Sequence, residues 1–115
     1  MFKFFAMAFA FIPLCSCATQ PISGETFYMD YLEYQKLQAG NDYSVPDVFY
    51  YIGYVKGISE TLMVSNVICV SGDFRLGQFY DTVGLAMKNN PKVRSDRPVD
   101  IVAGALVNNY GCNKK

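Results

Sequence analysis

Four cysteines, ten carboxylates and no histidine set the range of chemistry open to this 115-residue chain. Without an imidazole, the usual base for activating a serine or cysteine nucleophile is missing, and so is the commonest nitrogen ligand for a metal. Two thiols alone do not fill a zinc site, which takes four ligands. No Asp or Glu pair is gathered by spacing into an acid–base couple, and carboxylates such as Glu60 and Asp81 read as exposed helix residues. Thiol chemistry of two kinds is left: Cys69 and Cys112 can close a disulfide, and Cys17 can carry a lipid. The expectation is a binding protein, not an enzyme, with no cofactor and no metal.

The compartment follows from the first residues. Lys3 precedes an apolar run from Phe4 to Leu14, and small residues come after it; this is the layout of a secretory leader over residues 1–17 that is removed on export. The run is shorter than the ~20 apolar residues a spanning helix needs. Two cleavages fit. Leu14-Cys15-Ser16-Cys17 resembles the box at which bacterial lipoproteins are cut and lipidated, here on Cys17, which would tether the protein to a membrane face. Ser16-Cys17-Ala18 also offers the small residues that an ordinary signal peptidase takes, which would leave the protein without a lipid. Either way, Cys69 and Cys112 are an even pair in an exported chain and should be joined. A loop of 43 residues closed in this way is worth about 4 kcal/mol in the chain-entropy model, against a typical total of about 5–15 kcal/mol for a small domain.

With 51% hydrophobic residues, the roughly 95 residues left after cleavage can bury one core but not two. Ten basic and ten acidic residues cancel, so no basic field draws nucleic acid. The aromatic residues are nine Phe and nine Tyr; Tyr often sits where one end of the ring is buried and the other wet, which hints at a binding face.

Residues 18–25 read as a linker, being rich in Thr, Gln, Pro, Ser and Gly, and the domain should occupy 26–115. Phe27, Tyr31 and Tyr34, with Tyr28 and Leu32 beside them, predict a helix over 26–38. Pro46 suits the start of a second helix, which Val48, Tyr51, Ile52, Val55 and Leu62 carry to about Ser65. Val67 to Val70 is a short apolar run with no second strand to pair with, and reads as buried connecting chain held by Cys69. Ser71-Gly72-Asp73 offers a turn and a cap for a third helix carrying Leu76, Phe79, Tyr80, Val83 and Met87, which Asn89-Asn90-Pro91 ends. The connection from Lys92 to Asp96 is charged and short of apolar anchors. Pro98 then opens a last helix with Val99, Val102, Ala103 and Leu106 inward and Gly111 as its stop. The fold class is all-α: a small four-helix domain with one disulfide.

Gly53 and Gly57 lie inside the second helix, where each costs about 1 kcal/mol relative to Ala. Their spacing puts both on one face, so a neighbouring helix is expected to cross there with close backbone approach.

Gly53-Tyr54-Val55-Lys56-Gly57, Cys69, Leu76-Gly77-Gln78, Arg97-Pro98 and Cys112 occur in this order. The pattern resembles the Rap/Tai-type immunity proteins of bacterial type VI secretion over roughly residues 50–112. The resemblance implies a small helical periplasmic protein that binds and blocks a secreted peptidoglycan amidase of the papain-like cysteine class, commonly as a homodimer. Inhibition would work by occlusion, with an exposed loop pressed into the cleft that holds the amidase thiol. The candidate contacts are Asp73 and Arg75 in the second connection and Lys92, Arg94 and Asp96 in the third, with Tyr43 or Tyr50 as aromatic anchors. A periplasmic stress chaperone or structural envelope lipoprotein is the alternative that explains leader, disulfide and helices, though not the motif order.

Overall fold

A computed structural model describes residues 22–113. The leader, Cys17 and most of the expected linker lie outside the described residues. Four helices follow one another: α1 (Gly24–Gln38), α2 (Val45–Val64), α3 (Leu76–Asn89) and α4 (Pro98–Tyr110), with a short 3-10 helix at Pro91–Ser95 between the last two. The described residues form no strand, and the all-α, single-disulfide architecture is as expected. None of these helices is long and apolar enough to cross a membrane.

Helix α1 begins two residues inside the expected linker because Ser23 caps it: its hydroxyl accepts from the Thr26 N–H at 3.2 Å. Such a cap satisfies a donor that the first turn cannot. Both α1 and α2 end on a left-handed residue, Gly40 (φ 76°) and Asn66 (φ 56°). Asn41 N–H then bonds Lys36 O at 2.9 Å, and Val67 N–H bonds Leu62 O at 2.9 Å. Glycine and asparagine are the residues that enter this conformation at least cost, and the bonds tie off the terminal carbonyls.

Among the described residues, the aromatic side chains mostly build the core instead of a binding face. Tyr51, fully buried in α2, lies 5.1 Å from the Phe27 ring and 5.5 Å from both Tyr31 and Tyr34 of α1. Its hydroxyl donates to the Tyr80 carbonyl of α3 at 2.6 Å, so one residue joins three helices. A phenol can fill such a core only if its hydroxyl finds a partner there. Burial and neighbouring charge push the Tyr34 phenol up to about 12, and Tyr51 is raised for the same leading reason, burial.

The glycines of closest approach are not the two expected. Nothing lies within 4 Å of a methyl group placed on Gly53 or Gly57, and both are exposed. The tight crossing is between α1 and α3: a Cβ on Gly84 would sit 1.9 Å from the Tyr31 ring. A second close approach is Gly24, whose Cβ would meet the carbonyl oxygens of Arg94 and Asp96 at 2.5 Å. Spacing shows that two glycines share a face, but not whether that face points inward. In α4 the inward set is also rotated, with Ile101, Val102, Ala105 and Leu106 buried and Val99 turned outward.

Candidate functional site

Helix α2 stops at Val64, and the chain doubles back against the C-terminal end of α4. Ile68 pairs with Gly111 as an antiparallel bridge, Cys69 N–H bonds Tyr110 O at 2.8 Å, and Cys112 N–H bonds Val67 O at 3.2 Å. The run Val67 to Val70 thus finds a pairing partner in the residues just after α4. Ile68 is buried in the core beneath the bridge. Cys69 and Cys112 form the disulfide, with their Cα atoms 4.7 Å apart. Gly111 does stop α4, though with φ −53° and not in the left-handed region. Its smallness serves the close approach instead, since a Cβ there would stand 2.8 Å from the Val107 carbonyl oxygen.

From this staple the chain runs out as an exposed loop before α3. Phe74 turns inward at its far end, 4.2 Å from the Phe79 ring and 5.5 Å from Tyr110, and its N–H closes a turn onto Ser71 O at 3.1 Å. Tyr110 is fixed in turn by a hydroxyl contact to Thr82 at 2.9 Å. Asp73 and Arg75 flank Phe74 and both point to solvent, in the same stretch as the exposed Val67 and Val70. Asp73 does not cap α3; Arg75 occupies the cap position and its side chain makes no capping bond. The arrangement is a short loop pinned at both ends, with two opposite charges and two apolar residues left outside.

The other candidate loop is bound into the fold. Arg94 is only 19% exposed: its guanidinium lies 3.6 Å over the Tyr28 ring, its Nε donates to Met87 O at 3.0 Å, and Nη1 reaches Glu25 at 4.0 Å. A cation on a ring face with a buried acceptor is a structural tie, so Arg94 joins α1 to α3 and is removed from the contact candidates. Val93 adds an apolar anchor that the charge pattern had hidden. Lys92 and Asp96 remain exposed, and Asp96 has no ion-pair partner among the described residues. The aromatic candidates Tyr43 and Tyr50 are each partly exposed, and Tyr50 leans on Tyr54 at 5.6 Å.

Asp30, absent from the sequence candidates, is the strongly perturbed carboxyl among the described residues. It is 6% exposed at the seam of α1 with the start of α2. Burial first, and the Asp47 charge second, raise it from 3.8 to about 6. Only a charged residue on an otherwise apolar helical face could have drawn attention to it. One turn on, Glu33 has the opposite environment: Lys36 and the Ser44 N–H, the latter at 2.8 Å, bond its carboxylate and hold it below the usual range. Among the described residues no three His, Cys, Asp or Glu side chains come together as a metal site. No family model matches this chain, and no curated protein or solved structure matches it either.

Proposed function

We propose that the protein is a periplasmic immunity protein that blocks a secreted peptidoglycan amidase by occluding its active-site cleft. The observation that supports this most is the pinned loop, in which the disulfide, the Ile68–Gly111 bridge and the Phe74 anchor fix a segment that leaves Asp73, Arg75, Val67 and Val70 outward. An inhibitor that acts by obstruction needs no catalytic group, but it gains affinity from a loop that is already ordered before binding. The disulfide suits an oxidising compartment. The target class rests on the resemblance of the motif order around Gly53, Cys69, Gln78, Pro98 and Cys112 to the Rap/Tai-type immunity proteins.

This reading expects a secreted amidase to be encoded beside this gene, and the test is a titration of that amidase with peptidoglycan cleavage as readout. Stoichiometric loss of cleavage is expected, and the double variant Asp73→Arg, Arg75→Asp should weaken inhibition at unchanged melting temperature. Undiminished cleavage at saturating protein would reject the role.

Pairing of two copies belongs to the same reading. The outward face of α2 carries Phe49, 68% exposed, Gly53, Gly57 and Val64. A second α2 crossing there would give the two glycines the close neighbour they lack within the chain. The Lys56–Glu60 pair, at 3.6 Å, lies on the same face and would be matched by its own symmetry mate. Sedimentation should then show a dimer that Phe49→Glu splits; a wild-type monomer at all concentrations would remove this part.

A further inference from the structure

An open groove of about 560 Å³ runs between α3 and α4, on surface that the pinned loop does not use. Its apolar lining is the buried Ile101 and Ala105 with the half-buried Ala86 and Val93, and the exposed Leu85. Polar side chains edge it: Asn89 and Asn90 where α3 ends, Asn108 and Asn109 toward the end of α4. Asn109 gives one amide N–H to Ala105 O at 2.8 Å, which leaves its second N–H and its amide oxygen for a ligand. The other three amides bond no side chain among the described residues. Both charged residues of the lining, Asp96 and Asp100, are acidic, and no Lys or Arg lines it although the whole chain is neutral. Asp100 is held by Arg97 at 2.8 Å, so Asp96 is the free charge.

Gly104 is a second sign that the groove is kept open. It sits in the middle of α4, where glycine is the poorest helix former after proline, yet nothing lies within 4 Å of a Cβ placed on it. No packing contact inside the chain calls for a glycine here. Its effect is to leave the lining low, since any side chain at this position would stand in the groove.

We propose that this groove binds an extended, basic segment of a partner protein, with the stem of a Lys or Arg along the apolar lining and its cation against Asp96. The charge of the lining selects the occupant. An anionic ligand would meet the carboxylate of Asp96, while the Arg97 cation is already paired with Asp100, and a purely apolar helix would strand the rim amides. An extended peptide offers backbone N–H and C=O groups that asparagine amides can match, and a long basic side chain is apolar along its stem and charged at its tip. The groove is large enough for a few residues, within the usual range of about 300–1,000 Å³ for binding clefts.

The proposal stands apart from amidase inhibition, and its test needs no amidase. The probe is a fluorescein-labelled octapeptide of alternating alanine and arginine, titrated by anisotropy into the oxidised protein, with an alanine–glutamate octapeptide as control. Saturable binding of the arginine peptide alone is expected. Gly104→Leu, which fills the groove while improving helix propensity, should weaken binding at least about tenfold with an equal or higher melting temperature. Asp96→Asn should weaken it by about two- to fivefold, the scale of an exposed charge pair. The idea is overturned if the arginine peptide fails to saturate up to about 1 mM, the weak end of specific recognition. It is overturned equally if both variants bind like the parent, or if the glutamate peptide binds as well.

Discussion

Replacing Asp30 by Asn tests the account of the α1–α2 seam where it is most exposed to error. The carboxyl is raised from 3.8 to about 6 by burial and by Asp47, so between these values the folded state holds a proton that the unfolded chain has released. Stability is therefore greatest below the unfolded pKa, declines as pH rises through about 6, and stays low above it. A rise of about 2 units corresponds to about 3 kcal/mol at most. Around 2 kcal/mol is the better expectation, because the seam lies near the surface and water can relax around the charge. The substituted amide is neutral at every pH and nearly the same shape as the carboxyl, so Asp30→Asn should match the parent near pH 3.5 and exceed it by about 2 kcal/mol near pH 7.5. For a domain of this size that is a gain of about 10 °C in melting temperature. Urea unfolding of both proteins across this range, in the oxidised state, measures the difference directly. Glu33, held low by Lys36 and the Ser44 N–H, acts in the opposite direction below its ordinary range, but it is common to both proteins and cancels. A difference that does not change with pH, or an Asp30→Asn protein less stable at pH 7.5, would refute the reasoning.

Two further perturbations separate the packing claims. Gly84→Ala drives a methyl group into the Tyr31 ring and should cost about 1–3 kcal/mol by denaturant unfolding, the range of an overpacked core. In the Phe49→Glu background, which keeps the chain monomeric, Gly53→Ala meets nothing and should gain up to about 1 kcal/mol from helix propensity, so a cost there equal to that of Gly84→Ala would contradict the assigned crossing. Cys69→Ser with Cys112→Ser should lower stability by about 2–5 kcal/mol, and the backbone amides at positions 69 and 112 should lose hydrogen-exchange protection as the Ile68–Gly111 bridge opens. Unchanged protection would mean that the bridge holds that end without the sulfurs.

The helices were legible because apolar spacing and proline positions report local structure. Phe27, Tyr31, Tyr34, Val48, Tyr51, Val55, Phe79, Val83 and Met87 all recur at helical intervals and all are buried. The Cys69–Cys112 pairing was legible from parity in a chain read as exported. Features that depend on how the helices rotate against one another were not. Gly53 and Gly84 look alike in sequence, yet one faces outward and the other receives a ring. Arg94 sits in a charged run that has the composition of a solvated loop, and only the fold brings Tyr28, Met87 and Glu25 around it. Asp73 could have capped α3 by type and distance, but the inward turn of Phe74 places Arg75 at the cap instead.

The fate of Arg94 narrows where a partner can bind. A guanidinium laid on a ring with its Nε–H given to the Met87 carbonyl serves the fold, and extracting it toward a target would unpin the 3-10 segment from α1. The third connection therefore offers only Lys92 and Asp96, and Asp96 faces the α3–α4 groove. In the second connection the reverse holds: Phe74, Ile68 and the disulfide do the anchoring, and the charged residues Asp73 and Arg75 have no ion-pair partners among the described residues. Energetically this is the better arrangement for recognition, because the cost of ordering the loop has been met within the fold and both charges remain unspent. Under the proposed function, insertion into a target cleft is thus expected from the stapled end of the domain. A protection experiment on the complex should find Asp73 and Arg75 covered while the Arg94–Tyr28 contact is undisturbed.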